Sequence, residues 1–257
     1  MPLSASAARL GALARRVERL LLPAECLLCR EPVPGSDGDA LICALCRSRW
    51  VRVAPPLCRA CGATVERDEP CTTCAGWPPA LDGVRSAVWL DESARRAVHA
   101  LKYDGWWRAS EAMAAVMTTL EPLRGPRSEP QSGPLHLVPI PLGARRRRQR
   151  GYNQSLCLAA ALAAPGGAPA EGRVVRADLL ARRRETPTQT ALTPEERAAN
   201  VAGAFAAAAD AEGRRCLLVD DVFTTGATLL AAAAALRSAG AVSVHAVTFA
   251  RTRRAVG

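Results

Sequence analysis

A chain of 257 residues has room for one large domain, or for a small domain followed by a medium one. Hydrophobic residues make up 49% of it, enough for a real core, although alanine supplies much of that share and aromatics only 4%. No apolar run reaches the ~18 residues a membrane-spanning helix needs, and the formal charge of +10, mostly arginine, suits a phosphorylated small molecule or a nucleic acid without choosing between them.

The first 22 residues lack the unbroken apolar stretch of a secretory signal, because Arg15, Arg16, Glu18 and Arg19 interrupt it. Leu10, Leu13, Val17, Leu20 and Leu21 fall on one helical face with the arginines largely opposite. An amphipathic docking helix over residues 1–22 is the preferred reading, since arginine and alanine abound along the whole chain. An Arg- and Ala-rich, acid-poor organelle transit peptide is the alternative. The expected compartment is the cytosol.

Four Cys-x-x-Cys knuckles follow: Cys26/Cys29, Cys43/Cys46, Cys58/Cys61 and Cys71/Cys74. Two thiolates from each knuckle complete tetrahedral zinc sites of the ribbon type, and a short stretch with so little apolar content needs the metal to fold. Disulfides and redox Cys-x-x-Cys are disfavoured by four knuckles without a secretory signal. Two structural Zn²⁺ ions are therefore expected in a ribbon domain over residues 23–80. Eight thiolates and two such ions would lower the net charge to about +6. Successive knuckles are expected to pair, with a crossed arrangement open on spacing alone. Cys157, in an apolar helix, and Cys216, at a strand start, read as buried small hydrophobes.

From residue 83 to 257 the pattern becomes that of an α/β domain. Val84–Leu90 reads as a strand, and Ser93–Lys102 and Arg108–Leu120 as helices. A Pro/Gly/Ser-rich loop covers 124–133, and Leu135–Ile140 is a short strand. Arg145–Arg150 holds five arginines in six positions and reads as a turn, before a helix over Asn153–Ala164. A small-residue linker (165–172) leads to a possible strand over Val174–Leu180 and a long polar loop. Val242–Phe249 closes the sheet. The arginine turn lies where ligands bind at the C-terminal edge of a parallel sheet, and a planar guanidinium pairs bidentately with pyrophosphate oxygens. A solvated charge run is the competing reading.

Chemistry concentrates between Leu217 and Thr228. Leu217, Leu218 and Val219 form a buried strand that delivers Asp220 and Asp221 at its tip. Val222 and Phe223 follow, then the loop Thr224-Thr225-Gly226-Ala227-Thr228 and a helix over Leu229–Arg237. A loop feeding a helix N-terminus offers N–H groups, hydroxyls and the positive dipole end to a phosphate. Two carboxylates beside that seat can hold the vicinal hydroxyls of a ribose, directly or through Mg²⁺.

This run resembles the phosphoribosyl-pyrophosphate (PRPP) motif of type I phosphoribosyltransferases. The resemblance implies that Asp220 and Asp221 contact the ribose, and that Val222, Thr224, Thr225, Gly226, Ala227 and Thr228 belong to the PRPP seat. It extends further. Val138-Pro139-Ile140-Pro141-Leu142, the arginine run and Gly151-Tyr152-Asn153-Gln154 resemble a signature of the ComF (ComFC-like) competence family. So do Leu101-Lys102-Tyr103-Asp104-Gly105 and the segment Arg182–Gln189, followed by Leu192, Arg197, Asn200, Gly203 and Phe205. Tyr152 and Thr188 depart mildly from the usual Phe and Pro. The family joins an N-terminal zinc ribbon, sometimes double, to an α/β domain of type I phosphoribosyltransferase fold, a mostly parallel sheet flanked by helices.

The resemblance implies Mg²⁺ and a pyrophosphate side formed from Ile140, Pro141, Arg146, Arg150 and Lys102. It also implies a flexible loop carrying Arg183, Thr186 and Gln189 that closes over the site. The expected activity is transfer of a phosphoribosyl group from PRPP, or binding of PRPP or ribose 5-phosphate. The acceptor belongs to a hood from Val84–Leu90 and 251–257 and is not legible, nor is a general base. His99, His136 and His245 read as structural. The family's tie to DNA uptake supports a second reading, an adaptor handling single-stranded DNA beside a helicase-like ATPase. Trp106-Trp107 is then a stacking platform, with domain packing as its alternative. No GxxxxGK[ST] occurs, so the chain is not itself a P-loop motor.

Overall fold

The computed structural model describes residues 25–34, 37, 40–66, 71–124, 133–164, 172–184 and 203–253. The N-terminal amphipathic helix, most of the 124–133 loop, most of the 165–172 linker, and Thr186 and Gln189 lie outside them. By compactness the chain divides into residues 1–49 and 50–257, so the second cysteine cluster belongs with the larger unit.

In the smaller unit, Arg30 adopts φ +65° where the first knuckle turns, and Cys26 N–H bonds the Glu31 carbonyl at 2.9 Å. Helix α1 (Ala44–Ser48) starts at Cys43, whose sulfur accepts from Cys46 N–H, and Asp37 accepts from Ala44 N–H at 2.6 Å. Among its described residues, Leu28 and Ile42 are buried beside Cys26, Cys43 and Cys46.

The larger unit is built on a five-stranded, wholly parallel sheet of order β1-β7-β6-β2-β3. In chain order its elements begin with β1 (Gly83–Trp89), α2 (Glu92–Tyr103), α3 (Ala109–Met117), α4 (Glu121–Arg124) and β2 (Leu135–Pro139). Then come α5 (Ala144–Arg150), α6 (Gln154–Ala163), β3 (Arg173–Val175), β4 (Leu180–Arg182) and β5 (Phe205–Ala207). The chain continues with β6 (Arg215–Phe223), α7 (Ala227–Ser238) and β7 (Ser243–Arg251). Alternation along β6 sends Cys216 and Leu218 into one core with Leu229, Ala232, Ala233 and Leu236 of α7. α6 packs on β6 and β2, and α3 packs on α6. Both faces of the sheet are thus covered, as parallel strands require.

Five sequence expectations change. The arginine run is not a turn but the two-turn helix α5; arginine favours helix, and Gly151 at φ +79° ends it in the left-handed cap. Val174–Leu180 is not one strand. Arg176 turns aside to pair with Asp178 and Asp210, a 3₁₀ turn follows, and β4 leaves the main sheet to pair antiparallel with β5. The motif strand does not stop at the acids but runs on to Phe223, because Val222 and Phe223 still pair with Ala250 and Arg251. Finally β7, last in sequence, lies inside the sheet between β1 and β6. The helix expected over Arg108–Leu120 ends at Met117, with α4 a separate short turn.

Candidate functional site

The acid pair sits on β6, the sheet's central strand, near its C-terminal end. Asp220 Oδ1 accepts from Ser155 Oγ at 2.8 Å and from Asp221 N–H at 2.9 Å. Asp220 is half-buried by surface exposure but densely surrounded, and burial, then the charge of Asp221, pushes its pKa up to about 7 against the pull of Lys102 and Ser155. Asp221 is buried, and its Oδ2 lies 2.9 Å from Lys102 Nζ. That contact is an ion pair off hydrogen-bond geometry, so Oδ2 has charge compensation but no hydrogen bond. An oxygen with unused acceptor capacity suits a hydroxyl donor or a cation.

Thr224 and Thr225 continue into Gly226, and α7 begins at Ala227. Gly226 has φ +84°, and a Cβ there would lie 2.8 Å from the Trp77 ring and 3.1 Å from Phe223, so only glycine fits the turn. The first N–H groups of a twelve-residue helix then point back toward the loop.

Both features open onto a cleft of about 940 Å³. Asp220, Asp221, Val222, Thr224, Thr225, Gly226, Ala227 and Thr228 all line it. So do the residues expected on the pyrophosphate side: Lys102, Ile140, Pro141, Arg146 and Arg150. The helical form of α5 sorts its arginines, for Arg146 and Arg150, four apart, line the cleft while Arg145, Arg147 and Arg148 are exposed. Arg150 is held by Gln154 Oε1 at 2.8 Å and stacks 5.0 Å from the Tyr103 ring centre. Asn153 caps α6 and also donates to the Ile140 carbonyl at 3.0 Å, while Tyr152 Oη donates to Leu101 O at 2.5 Å, tying α2, β2 and α6 around the cleft.

Arg183 does not line the cleft. Its N–H bonds Ala204 O, and its neighbour Arg182 reaches the cleft instead, its guanidinium 5.3 Å from the Phe205 ring centre. Sequence reasoning missed Ser155 and Trp77, and within the Arg182–Gln189 segment it chose Arg183 where Arg182 lines the cleft. Ser155 sits just after the recognisable Asn153 cap, but nothing local aims it at Asp220. Of the histidines, exposed His99 is on the cleft rim, 3.2 Å from Asp104; buried His136 contacts Arg214; half-buried His245 is on β7 with its pKa lowered by burial.

The cysteines form two clusters, Cys26/Cys29/Cys43/Cys46 and Cys58/Cys61/Cys71/Cys74, each with its sulfurs within 4.8 Å of one another. Successive knuckles therefore pair, and the crossed arrangement is excluded. Sγ–Sγ separations of 3.9 Å (Cys29–Cys43), 3.6 Å (Cys58–Cys74) and 3.5 Å (Cys61–Cys71) are far beyond a disulfide bond. They approach the ~3.8 Å edge of a tetrahedron with ~2.3 Å Zn–S bonds. Four thiolates fill such a site and leave no position for substrate, so its role is structural. Cys157 and Cys216 belong to neither cluster.

Comparison with known proteins finds two domain families in the chain. A phosphoribosyl transferase domain family matches residues 153–256, and a double zinc ribbon domain family matches residues 17–75. The DNA utilization protein YhgH of Salmonella typhimurium is 34% identical over 236 residues, 91% of this chain and 99% of that protein. The competence protein ComFC of Bacillus subtilis is 27% identical over 221 residues (83% and 85%), and the competence protein F of Haemophilus influenzae is 27% identical over 194 (74% and 82%). Among the described residues no helix is long and apolar enough to cross a membrane. With a double ribbon ahead of a parallel-sheet transferase domain, and relatives matched along nearly their full length, the chain belongs to the ComF (ComFC-like) family.

Proposed function

We propose that the cleft binds PRPP and that the protein transfers its phosphoribosyl group to an acceptor in the cytosol. The observation that carries this is the convergence on one cleft of a carboxylate pair, a helix-start loop and a cationic wall. Thr224–Thr228 would wrap the 5′-phosphate, Asp220 and Asp221 would take the ribose hydroxyls, and Lys102, Arg146 and Arg150 would face the pyrophosphate. Mg²⁺ would be held by pyrophosphate oxygens and the acid pair, where it supplies charge neutralisation for the leaving group.

In the transfer, the C1–oxygen bond breaks with its electron pair leaving on pyrophosphate, and the acceptor forms the new bond at C1. Such a reaction gains most from stabilising charge on the departing group, which fixed guanidinium groups do without reorganising. The Gln154 and Tyr103 contacts hold Arg150 for that task. Titration calorimetry with PRPP and Mg²⁺ tests the reading; no heat at millimolar PRPP, with the protein folded, would remove it.

A second reading has its own observation. Tyr103, Trp106 and Trp107 are exposed, at 65%, 44% and 53%, Tyr103 stacks with Arg150 of α5, and Arg145, Arg147 and Arg148 of the same helix are exposed. Aromatic faces beside arginines suit unpaired bases, and the relatives' names refer to DNA use and competence. On this reading the chain is a single-stranded-DNA adaptor working beside a helicase-like ATPase, its PRPP site regulatory or inherited. Fluorescence titration with a labelled oligonucleotide separates the two. Binding that falls steeply with salt, with a slope flattened in Arg145→Ala/Arg147→Ala/Arg148→Ala, supports the adaptor; no binding at low salt removes it.

A further inference from the structure

The second cysteine cluster is attached to the site at three places: strand β1, strand β7 and the loop at Gly226. Ala60 O accepts from Val84 N–H at 2.7 Å, at the start of β1. Gly62 (φ +66°) fits closely beneath the same strand, because a Cβ there would lie 2.5 Å from Val84 O. Cys61 O accepts from Arg251 Nη1 at 2.9 Å; Arg251 is buried at the end of β7, with its guanidinium 4.8 Å from the Phe223 ring centre.

The third place is the loop itself. Trp77 follows Cys74 and donates its backbone N–H to Cys74 O at 3.1 Å. Its ring touches the space above Gly226 Cα, 2.8 Å from where a Cβ would stand, and lies 6.1 Å from the Phe223 ring centre. Phe223 is thus flanked by Trp77 and Arg251, one from each side of the ribbon attachment. It is also the residue at which the acid-bearing strand becomes the loop. The left-handed turn at Gly226 has few internal bonds to hold it. Its shape depends on what packs against it, and that is an indole whose backbone is bonded to Cys74 of the cluster.

We propose that Trp77 is a positioning residue, through which the Cys58/Cys61/Cys71/Cys74 cluster fixes the Phe223–Thr228 loop in its phosphate-binding shape. Metal in this cluster orders the Cys71–Cys74 knuckle, the knuckle sets Trp77, and Trp77 with Phe223 sets Gly226. The inference rests on the PRPP reading for its consequence in affinity, but not for its consequence in loop order. It also changes what the sequence suggests about the ribbons. The second is part of the framework of the cleft and not an appendage with a separate core.

The test uses the full chain carrying Trp77→Ala, Trp77→Phe or Cys71→Ser. Zinc is counted by elemental analysis, loop order by hydrogen exchange of a peptide spanning 223–230, and affinity by calorimetry with Mg²⁺ and PRPP. Trp77→Ala should keep both zinc ions, exchange faster across the loop and bind PRPP at least about tenfold more weakly, a loss of ~1.4 kcal/mol. Trp77→Phe, which keeps an aromatic face, should recover most of both. Cys71→Ser should lose one zinc and reproduce Trp77→Ala at the loop. Native exchange and native affinity in Trp77→Ala would overturn the proposal. Should the unaltered protein not bind PRPP, the ligand reading fails, and the exchange of Trp77→Ala still decides the coupling. If Cys71→Ser does not fold, the two Trp77 variants decide it.

Discussion

Gly226→Ala adds one methyl group at a place where two costs can be separated. The backbone at φ +84° is left-handed, which costs an L-residue ~1–2 kcal/mol. The new Cβ would also lie 2.8 Å from a carbon of Trp77 and 3.1 Å from Phe223, well inside the ~3.5–4.0 Å at which carbon atoms rest. Overpacking of this kind costs ~1–3 kcal/mol, because the indole or the loop must move. Together the substitution should destabilise the larger unit by about 2–5 kcal/mol, lowering its melting temperature by some 4–20 °C. On the proposed function PRPP affinity should fall as well, since relief by loop movement displaces the N–H groups at the start of α7. Thermal denaturation and calorimetry read the two effects. In a cycle with Trp77→Ala, the indole's share of the overpacking should vanish while the backbone cost and the Phe223 contact remain, giving a coupling of at most ~1–3 kcal/mol. A Gly226→Ala protein with native melting temperature and native PRPP affinity would refute this account of the loop.

Three other outcomes follow from the same geometry. Asp221→Ala should lower PRPP affinity about ten- to a hundredfold, the ~1.5–3 kcal/mol of a hydrogen bond to a charged group, and leave zinc content unchanged; calorimetry beside elemental analysis checks both. With its pKa raised to about 7, Asp220 is protonated on the acid side of neutrality, so PRPP affinity should rise as pH increases through about 7 and level off above it. Asp220→Asn should bind weakly with that rise removed, and a native protein whose affinity stays flat from about one pH unit below that value to about one above it would contradict it. The chain should carry two zinc ions, with Cys43→Ser and Cys71→Ser each losing one, as the two separate clusters require; a single equivalent in the unaltered protein would refute the double site.

The sequence by itself determined the local chemistry. Knuckle spacing names the eight thiolates because a metal imposes short-range geometry. Leu217–Val219, the paired acids and Thr-Thr-Gly-Ala-Thr name a strand, a carboxylate pair and a helix-start loop because each depends on a few consecutive residues. The helix start at Asn153 is equally local, its side chain accepting from Ser155 N–H. Other features were decided only when distant segments met. The arginine run shows no amphipathic partner in sequence, and only packing beside the cleft distinguishes Arg146 and Arg150 from their exposed neighbours. Strand order placed the last strand, β7, inside the sheet, because β1 pairs with β7 across about 160 residues of chain, a loop closure that no local pattern announces. The ion pair of Lys102 with Asp221, the bond from Ser155 to Asp220, and the seat of Trp77 on Gly226 likewise join segments far apart in sequence. Their energy comes from burial and contact formed on folding, so the chain holds the parts in its order of residues and the assembled site only in its tertiary structure.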